Sequence, residues 1–135
     1  MYAIAVVGSR DYSDYDEFYD CMRRVIGEIC TRKGVDLNDI LIISGGARGA
    51  DSMAEQFTVD DGLPFLEIPA EWDKYGKSAG MVRNSQLVEK ADYVVAFWDG
   101  KSRGTADSIA KAQLVGKDHK VFFYDEKQRE DGAVL

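Results

Sequence analysis

Histidine and cysteine are nearly missing from this chain: His119 stands alone, and Cys21 and Cys30 are the only thiols. No CxxC pair or Cys/His cluster can be drawn from them, so a zinc site built by the protein is not expected. The two cysteines lie nine positions apart in one predicted helix. At about 100° per residue they fall on opposite faces and cannot pair with each other. His119, before a predicted strand, reads as ordinary surface. No apolar run approaches the roughly 20 residues of a membrane span. The opening stretch "MYAIAVVGSR" has neither a basic n-region nor a cleavage site, so the expectation is a cytoplasmic protein, in the host cytoplasm if it is phage-encoded. Positive charge is also in short supply. A net charge of −7 argues against broad attraction to DNA or anionic lipid, so neither nucleic acid nor membrane is expected as a partner.

What is present suffices for one folded unit. With 135 residues and 45% hydrophobic content, a single domain over 1–125 can bury a core, followed by a charged C-terminal tail over 126–135. Five short β-rich apolar runs punctuate the chain: 2–7, 40–44, 64–68, 93–98 and 120–124. Several are apolar at consecutive positions, the pattern of parallel strands covered on both faces. Helical spacing lies between them. Phe18, Met22, Val25, Ile26 and Ile29 share one face, as do Ala50, Met53, Ala54 and Phe57. Shorter patterns cover 79–90 and 104–115, the last closing at Gly116. This alternation predicts an α/β domain, a Rossmann-like doubly wound sheet of five mainly parallel strands in the order 3-2-1-4-5, with helices on both faces. The longest irregular piece, 69–80, reads as a ligand-covering loop.

In such a fold the loops that follow the strands gather on one rim. Here they are "GSRDYSD", "GGARGAD", "PAEWDKYGKSAGMVRN" and "DGKSRGTADS", and each carries an arginine. Arg10, Arg48, Arg83 and Arg103 are therefore expected around one cleft, where guanidinium forks suit phosphate oxygens. Gly45, Gly46 and Gly49 follow a strand and precede a helix, a junction that can receive an anion on free backbone N–H groups. Neither a GK[ST] Walker loop nor a GxGxxG fingerprint is present, which removes support for ATP hydrolysis and nicotinamide redox. Gly8 and Ser9 end the first strand, and Ser9 either donates to a phosphate or caps a turn. Asp51 either orients a ribose or caps its helix. Gly104 and Thr105 open the fourth long helix and can take a second phosphate. Asp107, in the same first turn, reaches a sugar hydroxyl, serves as a catalytic carboxylate, or simply favours the helix start. Trp72, Tyr75 and Trp98 are the aromatics available to stack on a base.

The blocks "GSRDY", "ISGGARGAD", "PAEWDKYGKSAGMVRN" and "ADYVVAFWDGKSRGTADSI" resemble the SLOG superfamily, and within it the small YspA-like proteins of bacteria and their phages. The resemblance runs to about residue 125. It implies a domain that binds nucleotides or nucleotide-derived molecules. Relatives include the Lonely Guy phosphoribohydrolases, the DNA-processing protein DprA and sensor domains of antiphage systems. Set against the phosphoribohydrolases, "GGARGADSM" is similar to their glycine-rich motif, "MVRN" to their arginine-lysine motif and "GKSRGTADS" to their PGGxGTxxE motif. Arg83 matches the arginine, Asn84 stands where lysine is usual, and Asp107 lies near the essential glutamate, one methylene shorter. Ser108 follows where a second acid is common.

The leading expectation is a module that binds or senses a nucleotide or a derivative, cyclic or ADP-ribose-like forms included. Phosphate would rest on Gly46, Arg48, Gly49, Gly104 and Thr105, with Arg10 and Arg83 neutralising charge. The alternative is an enzyme that cleaves the N-glycosidic bond of a nucleoside monophosphate, Arg83 orienting the substrate and Asp107 acting at the sugar. A DprA-like DNA-binding domain comes third. No cofactor is required, magnesium can arrive with a phosphate ligand, and a homodimer through helices beside the cleft is expected.

Overall fold

The computed structural model describes residues 1–124. The residue-125 boundary and the tail over 126–135 lie outside the described residues. Five strands, β1 (Tyr2–Gly8), β2 (Ile40–Ser44), β3 (Phe65–Glu67), β4 (Tyr93–Trp98) and β5 (Asp118–Phe123), form one sheet in the order β3-β2-β1-β4-β5. Every neighbouring pair is parallel. The architecture and strand order are those expected from the alternation of apolar runs and helical faces.

Parallel strands need crossovers, and the sequence supplies them on both sides. Helices α1 (Tyr15–Lys33) and α2 (Ala50–Asp61) cover one face. Their Phe18, Met22, Val25, Ala54 and Phe57 pack against Ile4, Val6, Ile42, Val95 and Phe97. Helices α4 (Ala79–Lys90) and α5 (Arg103–Leu114) cover the other, where Leu87, Val88, Ile109 and Ala112 meet Ala3, Ala5, Val7, Ile43, Val94 and Ala96. The alternate residues of β1 thus serve two cores, which is why its run is apolar without a break.

Local signals set the ends of α1. The Asp14 carboxylate accepts from Glu17 N at 3.0 Å, acidic residues fill the first turn, and Arg32 and Lys33 close the last before Gly34 in the left-handed conformation. No helix among the described residues is long and apolar enough to cross a membrane. Cys21 and Cys30 are both free thiols.

Three local expectations change. The expected loop over 69–80 contains a short helix α3 (Trp72–Tyr75), a 3₁₀ turn over Gly76–Ser78 and the start of α4. Lys74 N and Tyr75 N both donate to Glu71 O, at 3.1 and 3.0 Å; four residues are too few to show a helical period. The third strand is shorter than 64–68. The fifth begins earlier than 120, so His119 lies inside the strand opposite Val94 rather than before it.

Candidate functional site

Strands β1 and β4 are neighbours, yet the chain leaves β1 toward α1 on one face and leaves β4 toward α5 on the other. Their carboxyl ends therefore part into a crevice, the usual ligand position in an open parallel sheet. Gly8 ends β1 where no side chain fits, since a Cβ there would stand 2.8 Å from the Phe97 carbonyl oxygen. Ser9 N donates to that same oxygen at 3.0 Å, which holds the first loop beside β4.

A cavity of about 700 Å³ opens at this junction. The β1 loop contributes Gly8, Ser9, Arg10 and Asp11; the β2 side contributes Ala47 and Asp51. From α3, the 3₁₀ turn after it and α4 come Trp72, Lys77, Met81, Arg83 and Asn84, and from the β4 loop and α5 come Asp99, Ser102, Arg103, Gly104, Thr105, Asp107 and Ser108.

The acids and bases of the cavity differ in how they are occupied. Asp99 Oδ1 accepts from Lys101 N and Ser102 N, both at 2.8 Å. Partial burial opposes its charge, but these two N–H donors prevail and hold its carboxyl below the usual range. Asp51 Oδ2 accepts from Ala47 N at 3.0 Å. Burial pushes its carboxyl up in spite of that bond and of the nearby Arg83 and Arg10. Asp11 Oδ1 accepts from Tyr124 Oη at 2.6 Å, and Asp107 Oδ2 pairs with Lys111 Nζ at 2.7 Å. By contrast, Arg10, Arg83 and Arg103 form no ion pair among the described residues. Ser9 Oγ is buried without a hydrogen-bond partner; it lies near enough to Asp99 to favour that charge without completing a bond of ordinary geometry. Ser102, the residue before α5, does not cap the helix with its side chain. The first N–H groups of α5 thus have no intrahelical acceptor and no side-chain cap from Ser102.

A chain of hydrogen bonds ties α4 to α5. Arg83 donates to Gly45 O at 2.9 Å and to Asn84 Oδ1 at 3.2 Å; Asn84 Nδ2 donates to Asp107 Oδ2 at 3.1 Å and to Gly104 O at 3.3 Å. Lys111 Nζ, besides pairing with Asp107, donates to Met81 O at 2.8 Å. This network fixes an arginine and a carboxylate on one wall.

Of the residues expected at the site, Gly8, Ser9, Arg10, Asp51, Arg83, Asn84, Gly104, Thr105 and Asp107 come together in the cavity. Gly45, Gly46, Arg48, Gly49 and Trp98 fall outside its lining. The glycines serve close packing. A Cβ on Gly45 would strike the Arg83 guanidinium, one on Gly46 (φ 77°) the Glu67 carboxylate, and one on Gly49 (φ 73°) the Ser9 carbonyl. Arg48 is exposed, so the ring of cations consists of three arginines and Lys77. Trp98 donates its indole N–H to Ser102 O at 3.0 Å and packs on Phe123. Sequence reasoning missed Lys111, although its place four residues after Asp107 on one helix was a readable signal. Lys77 and Met81 carried none.

A doubly wound α/β domain with a polar cleft at the switch in strand order is a class that holds ligands by its loops. The family model of DNA recombination-mediator protein A matches residues 1–71, more than half of the chain. The chain belongs to that family, in agreement with the SLOG resemblance of its motifs. It is 28% identical over 122 residues to the Gene 61 protein of Mycobacterium phage D29, covering 86% of this chain and 92% of that protein. Among the solved structures that share the fold are two bacterial proteins. One is DNA processing protein A from Helicobacter pylori, described for its single-stranded DNA binding mode, with TM-score 0.60 and 19% identity over 97% of this chain and 73% of that one. The other is the molybdenum cofactor binding protein from Rippkaea orientalis, with TM-score 0.66 and 20% identity over 99% of this chain and 83% of that one. The family removes the ground for setting nucleic acid aside. A net charge of −7 describes the whole chain, whereas the cations of the cleft act locally.

Proposed function

We propose that the cleft binds the phosphate of a nucleotide or nucleotide-derived ligand. The observation that carries this reading is the pairing pattern: the carboxylates of the cavity are engaged by protein donors, while Arg10, Arg83 and Arg103 line the same cavity without an ion pair among the described residues, Arg83 bonding only neutral oxygens. Helix N–H groups, guanidinium forks and the unpartnered Ser9 hydroxyl are together a set of donors that an anion completes. Phosphate then sits on Gly104, Thr105 and the arginines rather than on the packed glycines after β2. Magnesium can enter with the phosphate of the ligand.

The test is a thermal-shift panel of mononucleotides, dinucleotides, cyclic nucleotides and ADP-ribose. A ligand at 100 times its dissociation constant adds about 2.7 kcal/mol of stability. Arg103→Ala is expected to weaken the hit by about tenfold, the scale of a charge-assisted hydrogen bond, and Arg48→Ala to leave it within about twofold. No shift across the panel overturns the reading.

Two neighbouring readings rest on observations of their own. Family membership favours nucleic acid, whose phosphates suit the same donors; affinity for single-stranded DNA that rises with length and falls steeply with salt would place the site on a polymer. The fixed Arg83–Asn84–Asp107 wall favours hydrolysis of a nucleoside monophosphate. Release of free base that is lost in Asp107→Ala, with binding kept, would establish it. The homodimer remains part of the proposal and is checked by light scattering.

A further inference from the structure

The cleft also has an apolar patch that phosphate binding does not use. Trp72 is 57% exposed and Met81 58%, large side chains that soluble domains usually cover. Both line the same cavity as Arg10, Arg103 and Thr105. We propose that Trp72, together with Met81, is the platform on which the aromatic base of the ligand stacks, a placement that rests on the phosphate-binding reading above.

The two tryptophans of the chain are held differently. Trp98 behaves as an anchor, its indole N–H donated to Ser102 O and its ring against Phe123. The Trp72 indole makes no hydrogen bond and no ring contact among the described residues. Its backbone is nonetheless held: Gly76 N donates to Trp72 O, and Cη2 of the indole lies 3.8 Å from where a Cβ on Gly80 would stand. Met81 is held as well, through the Lys111 bond to its carbonyl. A positioned aromatic face left open to a cavity that also holds arginines is what a base requires, and a thioether lining the same cavity suits aromatic contact further. The cavity, about 700 Å³, lies within the ordinary range of small-molecule sites, so one nucleotide can reach both the cations and the indole. Neither the indole face nor the methionine reads hydrogen bonds on a base edge. The platform therefore selects for aromatic ligands, and for purines over pyrimidines through greater overlap, without naming the base.

The experiment compares AMP, GMP, CMP and UMP with ribose 5-phosphate on the intact protein, by thermal shift and by tryptophan fluorescence. AMP is expected to quench the fluorescence, and ribose 5-phosphate to bind without quenching. Trp72→Ala, at an exposed position that should leave the fold intact, is expected to weaken AMP by about tenfold or more, the scale of one stacked base, and to leave ribose 5-phosphate unchanged. Trp72→Phe should keep AMP binding and lose the quench, which assigns the signal to Trp72 rather than Trp98. If AMP and ribose 5-phosphate bind equally and Trp72→Ala changes neither, the platform is wrong while the phosphate site stands. If none of the five binds, the platform as a site for a mononucleotide base falls, while the phosphate reading is decided separately by the dinucleotides, cyclic nucleotides and ADP-ribose of the wider panel.

Discussion

The junction after β2 and the junction after β4 are built from the same local ingredients: glycine, an arginine and an aspartate between a buried strand and an amphipathic helix. Their surroundings separate them. After β2 the loop is folded against the protein, Gly45 under the Arg83 guanidinium, Gly46 against Glu67 and Gly49 against the β1 loop. After β4 a Cβ on Gly104 would meet nothing within 4 Å, and Arg103, Gly104 and Thr105 open into the cavity. Each junction has its own aspartate, and the two titrate in opposite directions. Burial raises Asp51, whereas two backbone N–H groups overcome burial to lower Asp99. The lesson is that a glycine-rich turn before a helix stays open only where tertiary neighbours leave it room.

Four substitutions break or sharpen this contrast, in decreasing order of effect. Gly49→Ala places a side chain at positive φ and into the Ser9 carbonyl, and is expected to destabilise by about 3 kcal/mol in urea denaturation. A loss below about 1 kcal/mol would mean that the β2 loop is less firmly packed than its contacts indicate. Asp99→Ala removes the acceptor for Lys101 N and Ser102 N and should cost about 1 kcal/mol at neutral pH. Because the folded carboxyl is depressed, its contribution is present above the ordinary value of 3.8 and lost as pH falls through the folded value. The gap between wild type and variant should therefore close on acidification.

Gly104→Ala, the counterpart of Gly49→Ala, should raise stability by up to about 1 kcal/mol through helix propensity. A marked loss would show that the α5 start is as crowded as the β2 loop. Asp51→Asn is the smallest change expected in stability, since an amide oxygen can still accept from Ala47 N. Its diagnostic is slope. The folded carboxyl is raised, so wild-type stability declines as pH rises from 3.8 through the folded value. Asp51→Asn should flatten that decline, and an unaltered pH profile would count against the burial argument.

Much of this was legible from residue order. The consecutive apolar runs of β1 and β4 marked them as strands covered on both faces, and the face of Phe18, Met22, Val25, Ile26 and Ile29 marked α1 and the core it meets. Gly8, Ser9, Arg10, Arg83, Asn84, Gly104, Thr105 and Asp107 were readable as rim residues because loops after parallel strands share one edge of the sheet. Arg48 and the three glycines after β2 were placed on that rim by the same logic, yet they lie outside the cavity lining. No local pattern distinguishes a glycine that stands open to a cleft from one that approaches Arg83 or the Ser9 carbonyl. The short helix that carries Trp72 was illegible because four residues hold no period.

The sequence by itself determined the alternation of strands and helices, the mainly parallel sheet that such alternation builds, and the edge of the sheet on which the polar loops gather. These depend on hydrophobic period and chain handedness, which are local properties summed along the chain. Only the tertiary structure decided which cations stay unpaired, which glycines are filled in by neighbours, and which tryptophan keeps an open face. Those outcomes turn on atoms far apart in sequence meeting within hydrogen-bond or van der Waals distance, where differences of an ångström separate a packed loop from an open site.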